Sequence, residues 1–317
     1  MIDIATLPAP RLRAVLIAAV LTSTATGPCA AGKTYVFDDT LIVDARDGST
    51  KNAAFIFDDG DRALEFVAAD HGSPASIVLV ERAFVDGGFA PEAVVVEREP
   101  SRDARCSQAE MAMFHSRGPD AKPEPCVAMQ LADKAGATVV HGEMEFRDSF
   151  AALRRVGVSV EDVETHWILR SMVGYDLRSA NDPEWKTKSF DQIFALLAPD
   201  FERQHGVASA FHDGEELQRH YEAMTGRLRG FLVTRDVSGD EYFRTVPFAK
   251  EVWTPGDSGI GRVARASVRV RDAFLGRQIA AILAKRRRVL VVYGGGHYDE
   301  LHKALSHMMG VAPRPVP

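Results

Sequence analysis

The most informative pattern of apolar and polar positions lies near the end of the chain. From Val289 to Leu301 it reads VLVVYGGGHYDEL. Four apolar residues, three of them valine, suit a strand buried on both faces, as in a parallel sheet. Gly294, Gly295 and Gly296 then break the run, His297 follows, and Asp299, Leu301, Leu305 and Met308 fall at helical spacing. The pattern is strand, glycine turn, histidine, helix. It places His297 where open α/β sheets keep their sites, at the carboxyl end of a strand. The glycines allow a ligand to approach the backbone, and the helix N-terminus behind them favours negative charge.

The rest of the chain repeats short strands and amphipathic helices. Phe55–Phe57 and Ala63–Ala69, around a turn at Asp58–Asp61, read as a β-hairpin or two strand pieces. Ser73 and Pro74 suit the N-cap and first position of a helix whose stripe is Ile77, Val80, Ala83 and Phe84. Val94–Val96 and Thr138–Val140 read as further buried strands. Helices are expected around Ala109–Phe114 and over Val127–Lys134, Val160–Arg178, Phe190–Gln204 and Glu215–Met224, with another capped by Asp148. A long helix from about Ala264 to Arg287 leads into the last strand. Residues 32–52 read as a leading strand or irregular arm, and the Pro-rich tail 312–317 reads as disordered. The fold class expected is α/β: a mainly parallel sheet flanked by helices, in a single domain with a helical insertion over about 148–226.

Composition narrows the partners. The net charge of -6 over 317 residues argues against nucleic acid, because phosphate binding needs a basic face. The only dense basic cluster, Lys285–Arg288, reads as a solvated helix end. At the N-terminus Arg11 and Arg13 precede the apolar run Ala14–Leu21 and small residues, with cleavage expected after Ala31. The run is too short for a stable membrane span. Residues 1–31 therefore read as a signal peptide, and the protein as exported to a periplasmic or extracellular space. Cys106 and Cys126 then remain as an even pair, for which an oxidising compartment favours a bridge. Such a loop closure contributes about 3 kcal/mol.

Four strand ends carry candidate chemistry: Asp70/His71, Glu97, Glu143 (with Glu145 as a substitute) and His297. Parallel strands would gather them on one edge. Arg271 joins them by arithmetic. On the long helix it falls, with Asp272, inside the stripe Val268, Leu275, Ile279 and Ile282, where a charge needs a partner. Arg271 to Arg287 spans about 24 Å of helix, and Val289 to Gly296 about 23 Å of strand. The chain runs out and back equally, returning Arg271 to the level of His297. Gly256-Asp257-Ser258-Gly259 has the form of a protease nucleophile turn but lacks the β-barrel that chemistry requires.

These stretches resemble the broad superfamily holding the TraB/TIKI (GumN-like) and erythromycin esterase-like proteins. VLVVYGGGHYDEL resembles the TIKI-type GxxH strand-turn, with Gly294 and His297 at its ends. Val270-Arg271-Asp272 resembles the Arg that precedes it, and Ala68–Pro74 the first His motif in the His-Gly-Ser form of the esterases. Ala68 replaces the expected glycine, and Asp70 stands just before His71. The resemblance implies a His/Glu/Arg site under a helical insertion. It points to a metal-dependent peptidase, an esterase with His as base and Glu in support, or a haem-binding relative without hydrolysis.

The expectation is an exported hydrolase acting on a small-molecule or peptide substrate, with His71, Glu97, Arg271 and His297 as catalytic residues. Gly294, Gly295 and Gly296 would give the ligand room. His71, Glu97, Glu143 and His297 offer ligands suited to Mn, Co or Zn. The alternative is a haem or small-ligand binding protein, with Phe243, Phe248, Trp253 and Tyr293 as aromatic walls. The oligomeric state stays open.

Overall fold

The computed structural model describes residues 33–44, 50–85, 88–98, 106, 122–178, 183–226, 246, 248–252 and 256–317. The expected signal peptide, the helix around Ala109–Phe114, Phe243 and Trp253 lie outside them. The described strands are β1 (Ala53–Asp58), β2 (Ala63–Ala69), β3 (Ala93–Val96), β4 (Thr138–His141), β5 (Arg288–Gly294) and β6 (Arg314–Pro315). They form one sheet in the order β4-β3-β5-β2-β1-β6. The first four in that order run parallel, and β1 is antiparallel to both β2 and β6. The chain is therefore an α/β protein with a mainly parallel sheet.

Alternation along β5 explains why it sits at the centre. Val289, Val291 and Tyr293 face one hydrophobic cluster, Leu290 and Val292 the other. The first cluster is covered by α8 (Gly259–Leu283) and α9 (Gly295–Met309), the second by α1 (Pro74–Arg82) and α2 (Glu124–Ala135). Between β4 and α8 the chain forms α3 (Phe146–Arg155), α4 (Val160–Arg178), α5 (Pro183–Thr187), α6 (Phe190–His205) and α7 (Gly214–Thr225). Ile168, Ile193, Leu217 and Tyr221 give this helical region a core of its own. Helix α8 has 25 residues, a length of about 37 Å. Its Ile260 belongs to that helical core, whereas Leu275, Ile279 and Leu283 belong to the sheet core.

Several local expectations are corrected. The Pro-rich tail is ordered as an edge strand: Ile56 pairs with Arg314, and Val316 N–H donates to Ala54 O at 2.8 Å. An edge tolerates Pro315 because no further strand needs its missing N–H. Of the two forms expected for residues 32–52, the irregular arm is the one found over 33–44, with a 3-10 turn at Asp39–Leu41. Asp148 lies inside the first turn of α3, and Glu145 is the N-cap residue. The acid therefore complements the helix dipole rather than capping it. Helix α8 starts earlier than expected, because Ser258 Oγ accepts Gly261 N–H as its N-cap at 2.9 Å. That bond is the structural role of the Gly-Asp-Ser-Gly sequence.

The triple glycine is not a separate turn. Strand β5 runs straight into α9, and none of the three glycines has positive φ. They answer to close approach. A Cβ on Gly295 would collide with the carbonyl oxygen of Thr50, one on Gly294 would lie 3.0 Å from His71 Nε2, and one on Gly296 would meet open space. Gly295→Ala should therefore lose about 1–3 kcal/mol in urea unfolding, as overpacking does. Gly296→Ala should stay within about 1 kcal/mol of wild type, on the stabilising side. Equal losses at the two positions would contradict this assignment.

Candidate active site at the strand ends

The parallel strands deliver four groups to one edge. His71 lies two residues beyond β2, Glu97 directly after β3, and Glu143 two residues beyond β4. His297 is the third residue of α9, directly after β5. Helix α8 adds Arg271 and Asp272. Arg271 Nε donates to Glu143 Oε2 at 2.8 Å, and its Nη2 bonds Glu143 Oε1 and reaches Glu97 Oε1 at 3.3 Å. This fork on Glu143 is bidentate, the strong geometry for a guanidinium and a carboxylate.

Glu97 is the meeting point. Its Oε2 accepts the Gly294 N–H at 2.8 Å and lies 3.5 Å from His71 Nε2. Its Oε1 lies 3.7 Å from His297 Nε2. The other nitrogen of each ring is also held: His71 Nδ1 bonds Glu124 Oε1, and His297 Nδ1 bonds Asp272 Oδ1. Both outer carboxylates are buried, Glu124 to 1% and Asp272 to 0% exposure. Four carboxyl groups thus surround three basic side chains.

The electrostatics follow from that arrangement. Burial disfavours the charged form of His297, but the charge and hydrogen bond of Asp272, with Glu97, outweigh it and raise its pKa to about 10. Burial likewise opposes charge on His71. Its hydrogen bond to Glu124 and the charges on Glu97 and Glu124 raise it to about 9. Burial alone would raise Glu97, yet His297, His71 and Arg271 together hold it well below the usual carboxylate range. Glu300, one helical turn beyond His297, is pushed up to about 9 by burial and then by Asp272.

The structure brings His71, Glu97, Glu143, Arg271 and His297 together. Of the three glycines Gly294 bonds Glu97 and Gly295 is packed on Thr50, while a Cβ on Gly296 would point into open space. Glu145 occupies the N-cap position of α3 without a side-chain capping bond, and Glu143 is the group bonded to Arg271 in the site. Asp272 and Glu124 were not expected there. Asp272 carried a signal, an acid inside an apolar helical stripe. Glu124 carried none, lying between two prolines 53 residues from its partner. Glu97, Glu143 and His297 present one ligand atom each within 4.8 Å of one another, a group that could hold a metal ion. His71, expected among the ligands, is not in that group; its Nε2 lies 3.5 Å from Glu97 Oε2.

A cavity of about 570 Å³ opens beside the cluster, with Glu97, Glu143 and Arg271 at one end. Among the described residues its aromatic wall is Phe146, Phe150, Trp167 and Tyr175 from α3 and α4; of the aromatic residues expected there, Phe243 and Trp253 lie outside the described residues. Phe248 is packed in the core of the helical region, and Tyr293 lies edge-on to His297 at 5.3 Å, 1% exposed. No protein-family model, curated protein or solved structure matches the chain. Among the described residues no helix is long and apolar enough to cross a membrane, and Cys106 and Cys126 are paired with Cα atoms 5.7 Å apart.

The folded pKa of His297, about 10, lies above its ordinary value of 6.5. The stability it contributes is complete below pH 6.5 and is lost as the pH rises through 10. Urea midpoints of the wild type should therefore fall across that window. Asp272→Asn, which removes the largest raising partner, should show a flatter dependence; parallel curves would refute the assignment.

Proposed function

We propose that this is an exported hydrolase that adds water to an ester or peptide carbonyl. The observation supporting it is the pair of imidazoles, each fixed through Nδ1 by a buried carboxylate and each turning Nε2 to Glu97. Orientation of one ring nitrogen by a carboxylate is how acid–base imidazoles are kept in a working tautomer. The resemblance to TraB/TIKI and erythromycin esterase-like proteins points to the same chemistry.

His71, with 45% of its side chain exposed, is the imidazole that reaches water. In its neutral form Nε2 takes the proton as the water oxygen attacks the carbonyl carbon. The oxyanion that develops is stabilised by Arg271, which borders the cavity. His297, 11% exposed and held by Asp272, gives its Nε2 proton to the leaving oxygen or nitrogen as the oxyanion's electron pair re-forms the carbonyl and the bond to that atom breaks; Glu97 lies 3.5 and 3.7 Å from the two Nε2 atoms. The carboxylate, carboxylate and imidazole of Glu97, Glu143 and His297 fit a divalent ion of the Mn, Co or Zn type, and Asp272 behind His297 is the usual outer partner. An ion bound there would supply Lewis acidity. Arg271 already bonds both carboxylates, so the charge balance favours the metal-free version.

A second reading, a haem or flat-ligand binding protein, is favoured by one observation. His205 lines the cavity among Phe146, Phe150, Trp167 and Phe201, and its Nδ1 bonds Phe201 O at 3.0 Å. A carbonyl partner requires that Nδ1 carry the proton, and burial lowers the pKa of the ring. Nε2 is then left with a lone pair.

His71→Ala and His297→Ala should each lower kcat/KM on an ester and peptide panel by about 10²–10⁴. Wild-type kcat/KM should rise roughly tenfold or more from pH 7 to 9 as the His71 imidazolium, with its pKa of about 9, loses its proton. Chelator should leave activity intact; abolition with recovery on Mn, Co or Zn would replace the metal-free version. Full activity in both His variants would remove the hydrolase reading. A Soret band on haem titration, lost in His205→Ala and without turnover, would install the second.

A further inference from the structure

The disulfide stands directly behind the partner of His71. Helix α2 begins at Glu124, with Pro123 as an N-cap residue that supplies no side-chain hydrogen bond. The Cys126 and Val127 N–H groups donate to the Pro123 carbonyl at 3.0 and 3.2 Å, so this first turn is closed by backbone bonds alone. Glu124 occupies that first position. Its Oε1 bonds His71 Nδ1, and its Oε2 accepts the Gly72 N–H at 3.0 Å. Two residues on, Cys126 is 3% exposed and bridged to Cys106. The covalent tie sits in the same uncapped turn that presents Glu124.

The other side of the bridge leads to the same cluster. Arg98, 7% exposed, directly follows Glu97, and its Nη1 lies 2.7 Å from Cys106 Sγ. Its carbonyl accepts the Glu143 N–H at 3.2 Å. Loss of the bridge therefore acts on the support of His71 first and on the backbone bearing Glu97 and Glu143 second. Cys126 is buried in α2 beside Val127, Ala128 and Met129, but neither cysteine is a member of the hydrophobic clusters on the two faces of the sheet.

We propose that the Cys106–Cys126 disulfide is a positioning element of the active site: it fixes the first turn of α2 and, through Glu124, the orientation of His71. Reduction by a dithiol breaks the S–S bond, forms two thiols and converts the reductant to its disulfide. The sheet stays folded while His71 loses its fixed partner. The effect on turnover rests on the hydrolase reading; the effect on Glu124 does not.

The test is amide hydrogen exchange by NMR on the full chain, oxidised and after dithiol reduction, with a Cys106→Ser/Cys126→Ser protein as the second form. The Gly72 amide reports the Glu124 contact directly. On reduction its exchange should accelerate by on the order of tenfold, while the amides of Val95 and Val291 keep their protection. In the same samples kcat should fall on the order of 10–100-fold, the loss usual when the partner of a functional imidazole is removed, with KM unchanged. Re-oxidation should restore both. Glu124→Gln should lower kcat similarly with the bridge intact, and reduction of that variant should add little. Unchanged Gly72 exchange would overturn the proposal. Loss of protection at Val95 and Val291 together with Gly72 would also overturn it, because the bridge would then be a general staple. Accelerated Gly72 exchange in a protein that hydrolyses nothing would uphold the positioning role and remove the hydrolase reading alone.

Discussion

A carboxylate taken out of water costs several kcal/mol unless it is paired and hydrogen-bonded, and the structure meets that demand at Glu97 from several directions. The Gly294 N–H, the Arg271 guanidinium and the Nε2 atoms of His71 and His297 all face its two oxygens. Each comes from a different stretch: the end of β5, the middle of α8, the turn after β2 and the start of α9. Glu97 thus fixes how these elements meet, and the parallel order of β2, β5, β3 and β4 makes the meeting possible. The basic groups bring demands in turn. Arg271 is met by Glu143, His297 by Asp272 and His71 by Glu124. The cluster closes because each of its basic side chains is paired with a carboxylate from another part of the chain.

Helix α8 connects this cluster to the cavity. Its first turns belong to the core of the helical region and its last turns to the sheet core. Arg271 lies between them, at the level of the strand ends and at the edge of the cavity. A ligand resting against the aromatic wall of α3 and α4 therefore meets a side chain whose position is set by the sheet. The disulfide lies in the turn that carries Glu124, and Arg98, which lines the cavity, reaches its Cys106 sulfur.

Much of this was legible in the chain itself. The valine run before Gly294 identified a strand buried on both faces, and β5 packs against both cores. Arg271 was placed by length alone, since a helix and a strand of equal span must return to the same level. Its neighbour Asp272 shared the signal of a charge inside an apolar stripe. What periodicity could not show was contact between distant segments. Glu124 lies outside any apolar repeat, and its role depends on a bond to a residue 53 positions earlier. The tail illustrates the converse: prolines usually mark disorder, yet an edge strand needs only one side of its backbone, and β1 offered a free edge. The glycines were legible as close approach, but the approaching group at Gly295 is the Thr50 carbonyl rather than a ligand.

The central claim is that two carboxylate-held imidazoles face one part-buried glutamate. The most direct measurement is a pH titration of the histidine ring nitrogens by ¹⁵N NMR, with assignments from His71→Ala and His297→Ala proteins. The account requires both rings to carry protons on both nitrogens at pH 7.5 and to titrate near 9 for His71 and near 10 for His297. Rings that are neutral at pH 7.5, titrating near the ordinary value of 6.5, would show that Glu124 and Asp272 do not hold them and would contradict the account.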